Sequence, residues 1–457
     1  MLFRSFLLPT GWKLATLLEE GETPGEFQAA NYDVLADSAA EAGTFQGYNY
    51  TQNGATFRVV VHAHPADYSP DRLLNSLKKI TAVETSLMRD VPFSRYTFIL
   101  HFERPGSGGG MEHRYGTAIS APAGELARHW EHIESTVAHE FFHLWNVKRI
   151  RPQSLEPIDY VHGNDTRDLW FSEGVTSTYG ELALLRAGLI SPKTFYRRLA
   201  AEIEILQTRP ARRYQSLEEA GCEVWLEKYS EYYRPERSIS YYNKGALLGF
   251  LLDLEIRHAT RNRRSLDDVM RRLNEDFARR NRFFTQADLR QVIRDLAPEY
   301  AGLDAFFRDY LSGTREIDYD TILGFAGLLL VRETIERPAV GFLAVQRFDG
   351  PIEVESVEPG SNAERAGIAR GDILLKMNGE TLSSIPSEPV SSMKPGQRVS
   401  FDVRRGERTV KVEYHLGRKQ ATAYRIEETS SATPDEVRVR QGWLEGKTES
   451  REGTGQP

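Results

Sequence analysis

Residues Ser135–Pro152 read STVAHEFFHLWNVKRIRP, with two histidines four positions apart and a glutamate directly after the first. Four positions is about one turn of an α-helix, so His139 and His143 project from one face. Two imidazoles at that separation can reach one ion. Glu140 lies one step round, near enough to act on a water without being a ligand. That division of labour is the physical content of the H-E-x-x-H pattern. The stretch is also core material, since Val137, Phe141, Phe142, Leu144 and Trp145 would suit a plain buried helix. The choice between a zinc-binding helix and an ordinary one rests on residues elsewhere.

A hydrolytic zinc site needs three protein ligands and an open position. The best third ligand stands in LWFSEGVTSTYGELALL (Leu169–Leu185), where Glu173 follows His143 by thirty residues. Its neighbours Leu169, Trp170, Phe171 and Val175 mark a buried segment, and a buried carboxylate needs a partner. Two further segments bear on the question. GGGMEHRYGTAIS (Gly108–Ser120) sets Glu112 after three glycines, the last of them Gly110, where backbone can approach a ligand closely. SYYNKGALLGFLL (Ser240–Leu252) sets Tyr241 and Tyr242 just before a helix, where a phenol can donate to an oxyanion. Taken alone, each of these two segments is better explained by turn glycines and core tyrosines.

The chain has 457 residues, 40% apolar and 27% charged, with a formal charge of −7. That length allows two to four domains around a sizeable core. No long basic stripe points to nucleic acid, because the Arg-rich runs near residues 257–282 are interleaved with acids or flanked by them. Cys222 is the only cysteine, which excludes an internal disulfide and suits a reducing compartment. MLFRSFLLPTGW is too short an apolar run for a secretory signal, and GALLGFLLDLEI is interrupted by Asp253. A soluble cytoplasmic protein with no membrane partner is expected.

Along the chain, TFRVVVHAH and RYTFILHFE read as strands, and SPDRLLNSLKKITAVETSLM between them has helical period, with Ser69 and Pro70 suited to its start. A glycine-rich turn, PGSGGG, follows the second strand. From about His129 to Leu311 the pattern is mainly helical. A compact β-rich unit then spans 319–418. The tail, 419–457, holds few apolar residues and is expected to be disordered. Within the β-rich unit, SVEPGSNAERAGIARGDILLKMNGETL (Ser356–Leu382) contains a short helix that Gly367 can cap, and an Asn378-Gly379 hairpin turn. It looks like a PDZ domain. GFAGLLLV (Gly324–Val331) resembles the carboxylate-binding loop and groove strand of such a domain, with Gly327 and Leu328 as peptide-binding residues. Pro386 and Pro389 fall where the groove helix would lie, which favours a degenerate domain kept for packing.

Taken together, NYDVLADSAAEAG (Asn31–Gly43), GGGMEHRYG, TVAHEFFHLWNVKRIRP, LWFSEGVTSTYGELALLRAGL and YYNKGALLGFLLDLEIR resemble the PDZ-bearing glycyl aminopeptidases. These are gluzincin zinc metallopeptidases, relatives of aminopeptidase N, and the stretches come in the family's order over most of the chain. The resemblance implies an α+β fold: a β-rich N-terminal region at 1–65, a thermolysin-like catalytic domain at 66–315 and the PDZ domain at 319–418. It implies one zinc ion on His139, His143 and Glu173, with Glu140 as general base. Glu112 takes the position that binds the substrate's free α-amine. Tyr242 takes that of the transition-state tyrosine, with Tyr241 as the alternative. Peptides with small N-terminal residues, glycine or alanine, are the implied substrates. The rivals are a zinc endopeptidase, an idle peptidase fold serving as a PDZ binding module, and a metal-free structural protein. The chain departs from the family in two ways. Its β-rich region before the catalytic part is short. Ser177 stands four residues after Glu173, where thermolysin-like enzymes often carry a carboxylate behind a histidine ligand, so that histidine's orientation is expected to come from elsewhere.

Overall fold

The computed structural model describes residues 2–23, 25–104, 108–227, 235–346, 350–382 and 385–449. Pro105–Ser107 of the expected glycine-rich turn and the last eight residues of the tail lie outside that set. Five strands form the main sheet, in the spatial order Gln46–Gln52, Ala55–Ala63, Arg95–Glu103, Gly116–Pro122, Gly109–His113. The three central strands run parallel to one another. The helix Pro70–Met88 makes the crossover between the first two of these, as parallel pairing demands. It starts where Ser69 accepts the N–H of Arg72, with Pro70 in the first turn.

Alternation along the strands sends Phe57, Val59, Val61, Tyr96, Phe98 and Leu100 into the main core, against Leu73, Leu77 and Ile80 of that helix. The opposite face is smaller: Val60 and Ile99 are covered by Ala15 and Phe45 of the N-terminal segment. The edge strand Gly109–His113 pairs antiparallel, with Glu112 opposite Thr117. The expected boundary at residue 65 therefore falls inside the sheet, because the strands from Gln46 to Ala63 are integral to it.

Helices pack on the core face of the sheet. The histidine helix spans Trp130–Phe142. A π-helical turn at Trp170–Val175 runs on into the helix Thr176–Arg186, followed by Pro192–Gln207 and Tyr241–Ala259. Among the described residues no helix is long and apolar enough to cross a membrane.

The C-terminal third differs most from expectation. Leu328–Ala339 does not belong to the PDZ sheet. It pairs antiparallel with Gly417–Glu428 along its whole length, from Leu328↔Glu428 to Ala339↔Gly417. The PDZ sheet lies between the far ends of this ribbon, as Phe342–Gln346, Ile352–Val357, Ile373–Met377, Arg398–Arg405 and Arg408–His415. It has a core of its own, with Phe342, Val354, Leu374, Val399 and Phe401. The short helix Asn362–Ala366 ends at Gly367, and Asn378 and Gly379 both have positive φ, as their turn requires. A helix does form at Ser387–Ser391, with Pro386 at its N-cap, so the prolines shorten the groove helix without abolishing it.

The tail is ordered through Glu449. Gly417–Glu428 completes the ribbon, and a capping box between Thr433 and Glu436 opens the helix Pro434–Glu445. That helix has few apolar residues, but Trp443 is 0% exposed and packs edge-on against Phe195 and Phe250 in the catalytic core. Arg186 donates to the Trp443 carbonyl (3.2 Å) and Arg257 to that of Lys447 (2.8 Å). Trp443, with Ile426 and Val439 buried beside it in the main core and these bonds, offsets the ordering entropy that the tail's composition suggested it could not.

Candidate active site

His139 and His143 lie one helical turn apart with their rings nearly perpendicular, centroids at 4.6 Å. The π-helical turn brings Glu173 to them. Glu173 Oε2 lies 3.2 Å from His139 Nε2 and 3.3 Å from His143 Nε2, and the two nitrogens are 3.0 Å apart. The far side of each ring decides what these atoms are. His143 Nδ1 lies 2.7 Å from the Asn146 carbonyl, which only accepts, so Nδ1 is the donor. The Ser177 hydroxyl donates to the Glu173 carbonyl (3.0 Å) and therefore accepts from His139 Nδ1 (3.2 Å). In the neutral rings both Nε2 atoms then present lone pairs toward a carboxylate oxygen. Three acceptors facing one another call for a cation. Their separations lie close to the ~3.3 Å edge of a tetrahedron with ~2.0–2.1 Å metal–ligand bonds. The donor set fits a divalent metal such as zinc.

Ser177 is thus a correction. Orientation of a histidine was expected from elsewhere, yet the Ser177 hydroxyl itself holds His139. Asn146 is a residue that sequence reading missed. It is fully buried, and its amide donates to the Phe171 carbonyl (2.7 Å) and the Thr176 hydroxyl (3.0 Å). It thereby pins the loop after the histidine helix to the turn carrying Glu173. Its signal was a lone amide among apolar neighbours three positions after His143.

Glu140 is 6% exposed, and its Oε2 has no hydrogen-bond partner among the described residues. Burial pushes its carboxyl up to about 7; His143 pulls against that, while Glu112 and Glu173 add to it. Gly110 passes so close to Glu140 that a Cβ there would overlap its carboxylate. Gly174 and Gly245 likewise meet backbone to backbone, and neither has room for a Cβ. That contact sets the Glu173 turn against the helix carrying Tyr242. Tyr242 lines the cavity, with its ring 6.0 Å from that of His139, whereas Tyr241 is 5% exposed and packs in the core. One oxygen of Glu112, one of Glu140 and a ring nitrogen of His143 lie within 4.8 Å of one another. The cavity measures about 1020 Å³ and opens beside Gly108–Gly110, Glu181 and Arg198.

Gly327 and Leu328 stand apart from all of this. Leu328 is buried in the main core, and the Gly327 carbonyl already accepts from Thr429 N–H (2.9 Å) and Arg440 (3.1 Å). The full-length pairing with Gly417–Glu428 occupies one edge of this strand and takes it out of the PDZ sheet. They form no peptide groove.

Residues 132–248, which hold the histidine helix, Glu173 and Tyr242, match the M61 glycyl aminopeptidase family, and residues 353–405 match the PDZ domain. An aminopeptidase N family protein from Idiomarina loihiensis shares the fold at a TM-score of 0.74 and 23% identity, over 95% of this chain and 77% of that one. A serine endoprotease from Yersinia pestis, 25% identical over 19% of this chain and 30% of its own, superposes with a TM-score of only 0.17. Comparison with curated proteins finds no match. The catalytic layer and its appended module make the chain a peptidase with a PDZ domain. Over these two segments the chain resembles a PDZ-bearing M61 peptidase.

Proposed function

We propose that the chain is a zinc-dependent aminopeptidase that removes small residues, glycine or alanine, from peptide N-termini. The observation that carries this reading is Glu112, a carboxylate with an oxygen within 4.8 Å of one of Glu140 and of a ring nitrogen of His143, beside the His139–His143–Glu173 cluster. A zinc ion held by those three residues supplies Lewis acidity toward the peptide carbonyl and makes a water easier to deprotonate.

The rest is the work of the chain. Glu112 accepts the substrate's α-ammonium through a charge-assisted hydrogen bond, which places the first peptide bond beside Glu140. Glu140 takes a proton from the attacking water and passes it to the leaving amine. Burial, which raises its carboxyl, favours Glu140 holding that proton between the two steps. Tyr242 donates its phenolic hydrogen to the oxyanion. Gly110 leaves the Glu140 carboxylate room to move between its two proton positions. At the PDZ unit, the strand Phe342–Gln346 pairs on one side only among the described residues. It takes over the docking role expected of Gly327 and Leu328, receiving a peptide end by strand addition.

The test compares a free-amine short peptide with its N-acetylated form, on protein of measured zinc content. Cleavage of the free peptide alone, lost on chelation and restored by zinc, is the expected result. Equal cleavage of both forms would replace the aminopeptidase reading by an endopeptidase one.

A further inference from the structure

Beside Glu112 lies a charged group that the proposed reaction does not use. Lys148 Nζ sits 3.8 Å from Glu112 Oε1 and donates to Asp37 Oδ1 at 2.8 Å. Asp37 Oδ2 accepts the Arg114 N–H at 2.8 Å, and His113 Nδ1 stands 3.5 Å from Oδ1. Three separate parts of the chain meet here: the N-terminal segment, the edge strand and the loop after the histidine helix. Lys148 is only 15% exposed, so its ammonium has few other partners to turn to.

Lys148 carries the same charge as the substrate's α-ammonium and lies within reach of the same carboxylate. Left alone, a half-buried lysine and glutamate close to direct contact and neutralise each other. Glu112 would then offer little to an incoming amine. The distances show a different partition, with the short bond on Asp37 and the long one on Glu112. Two carboxylates and one ammonium leave one net negative charge, enough for one substrate ammonium. Although burial opposes it, the contacts from His113, Lys148 and the Arg114 N–H hold the Asp37 carboxyl down at about 2, so it stays ionised across the working range.

We infer that Asp37 is a positioning residue that draws Lys148 away from Glu112 and so sets the affinity of the amine subsite. The inference rests on the reading of Glu112 as the site of the substrate's α-ammonium. It also gives the N-terminal segment a part in substrate selection, since Asp37 reaches the site from outside the catalytic domain.

The experiment uses the full-length, zinc-loaded protein with glycine p-nitroanilide and its N-acetylated counterpart. Asp37→Asn frees Lys148 to close on Glu112. KM for the free amine should rise roughly tenfold, the size of one hydrogen bond to a charged group, with kcat nearly unchanged. Adding Lys148→Met to that variant should bring KM back toward the wild-type value. Lys148→Met alone should leave KM equal or lower. A merely structural role would make each variant worse and the double variant worst. If Asp37→Asn does not fold, Lys148→Met decides alone, and a higher KM in it overturns the inference. Wild-type selectivity for the free amine, with KM unmoved in a folded Asp37→Asn protein, overturns the inference and leaves the aminopeptidase reading intact. Equal cleavage of the acetylated substrate by the wild type removes the subsite, and the inference with it.

Discussion

Of the three clusters of two histidines and a glutamate among the described residues, two are built for different ends. In the cleft, one oxygen of Glu173 faces both histidine nitrogens, at 3.2 and 3.3 Å, and the nitrogens face each other at 3.0 Å. On the small face of the sheet, Glu41 divides its oxygens: Oε1 meets His62 Nδ1 and Oε2 meets His101 Nε2, each at 2.9 Å. His62 and His101 lie directly opposite each other on parallel strands, and Glu41 comes from the strand Ala40–Gly43 that covers them. There each ring nitrogen has an acceptor of its own and works as a donor. In the cleft, Asn146 and Ser177 use up the donor side of each ring and leave lone pairs converging. Residue composition is the same in the two clusters. What separates a metal site from a strand tether is which nitrogen the far-side partner leaves free.

That contrast breaks most visibly on removal of a histidine. His143→Ala leaves two ligands in the cleft, so zinc per chain by elemental analysis should fall to background and activity with it. His101→Ala should keep full zinc and lose only about 1 kcal/mol of stability, the net worth of one ordinary hydrogen bond. Zinc lost from the His101 variant, or kept by the His143 variant, reverses the assignment of the two clusters.

Next in size is a change that keeps the metal and removes the base. Glu140→Gln preserves shape and hydrogen bonding but cannot take a proton, so turnover should fall by roughly two to four orders of magnitude with zinc unchanged. Near-normal turnover by that zinc-loaded variant would take Glu140 out of the proton path.

A smaller effect tests the far-side partners themselves. Ser177→Ala removes the acceptor of His139 Nδ1 and lets that ring turn over to the other tautomer. Zinc affinity, measured by competition with a chelator, should weaken by about 10–100-fold. Glu181→Gln is the control, since its contacts are with Arg198 and Ser135 rather than with either ligand histidine. Unchanged affinity in Ser177→Ala would mean that Asn146 and helix packing suffice to orient the site.

The cleft was legible in the sequence because its parts are local. A four-residue spacing fixes two ligands on one helix face whatever else the chain does, and Glu173 sits in its own apolar segment. Ser177 was misread because a hydroxyl's role depends on where its proton goes, which only the Glu173 carbonyl decides. The C-terminal third was harder to read. The pairing of Leu328 with Glu428 joins residues a hundred positions apart, and no local pattern announces it. GFAGLLLV has the glycine and apolar run of a groove loop, and nothing within those eight residues shows that another strand already occupies the edge. The tail failed for a related reason. Mean composition undercounts a segment whose order rests on a few buried side chains, Ile426, Val439 and Trp443.

The ribbon also determines how the PDZ unit can be removed. Cutting the chain near Thr314 would take away Leu328, Leu330, Ile426 and Trp443, all buried in the main core, so the product should not fold. Ala339 and Gly417 are register partners at the ribbon's outer end, and the PDZ core is separate from the main one. Joining Ala339 to Gly417 through a two-residue Asn-Gly turn should therefore close the ribbon as a hairpin and leave the cleft whole. The excised protein should bind one zinc, and its kcat on a dipeptide should stay within about twofold of the full chain. Only peptides long enough to touch both the cleft and the strand Phe342–Gln346 should lose apparent affinity, through the missing second contact. If the excised protein is folded and zinc-loaded yet treats long and short peptides as the full chain does, the PDZ edge takes no part in substrate capture. If dipeptide turnover itself collapses while zinc remains bound, the unit acts on the cleft, and the separation of the two cores does not extend to function.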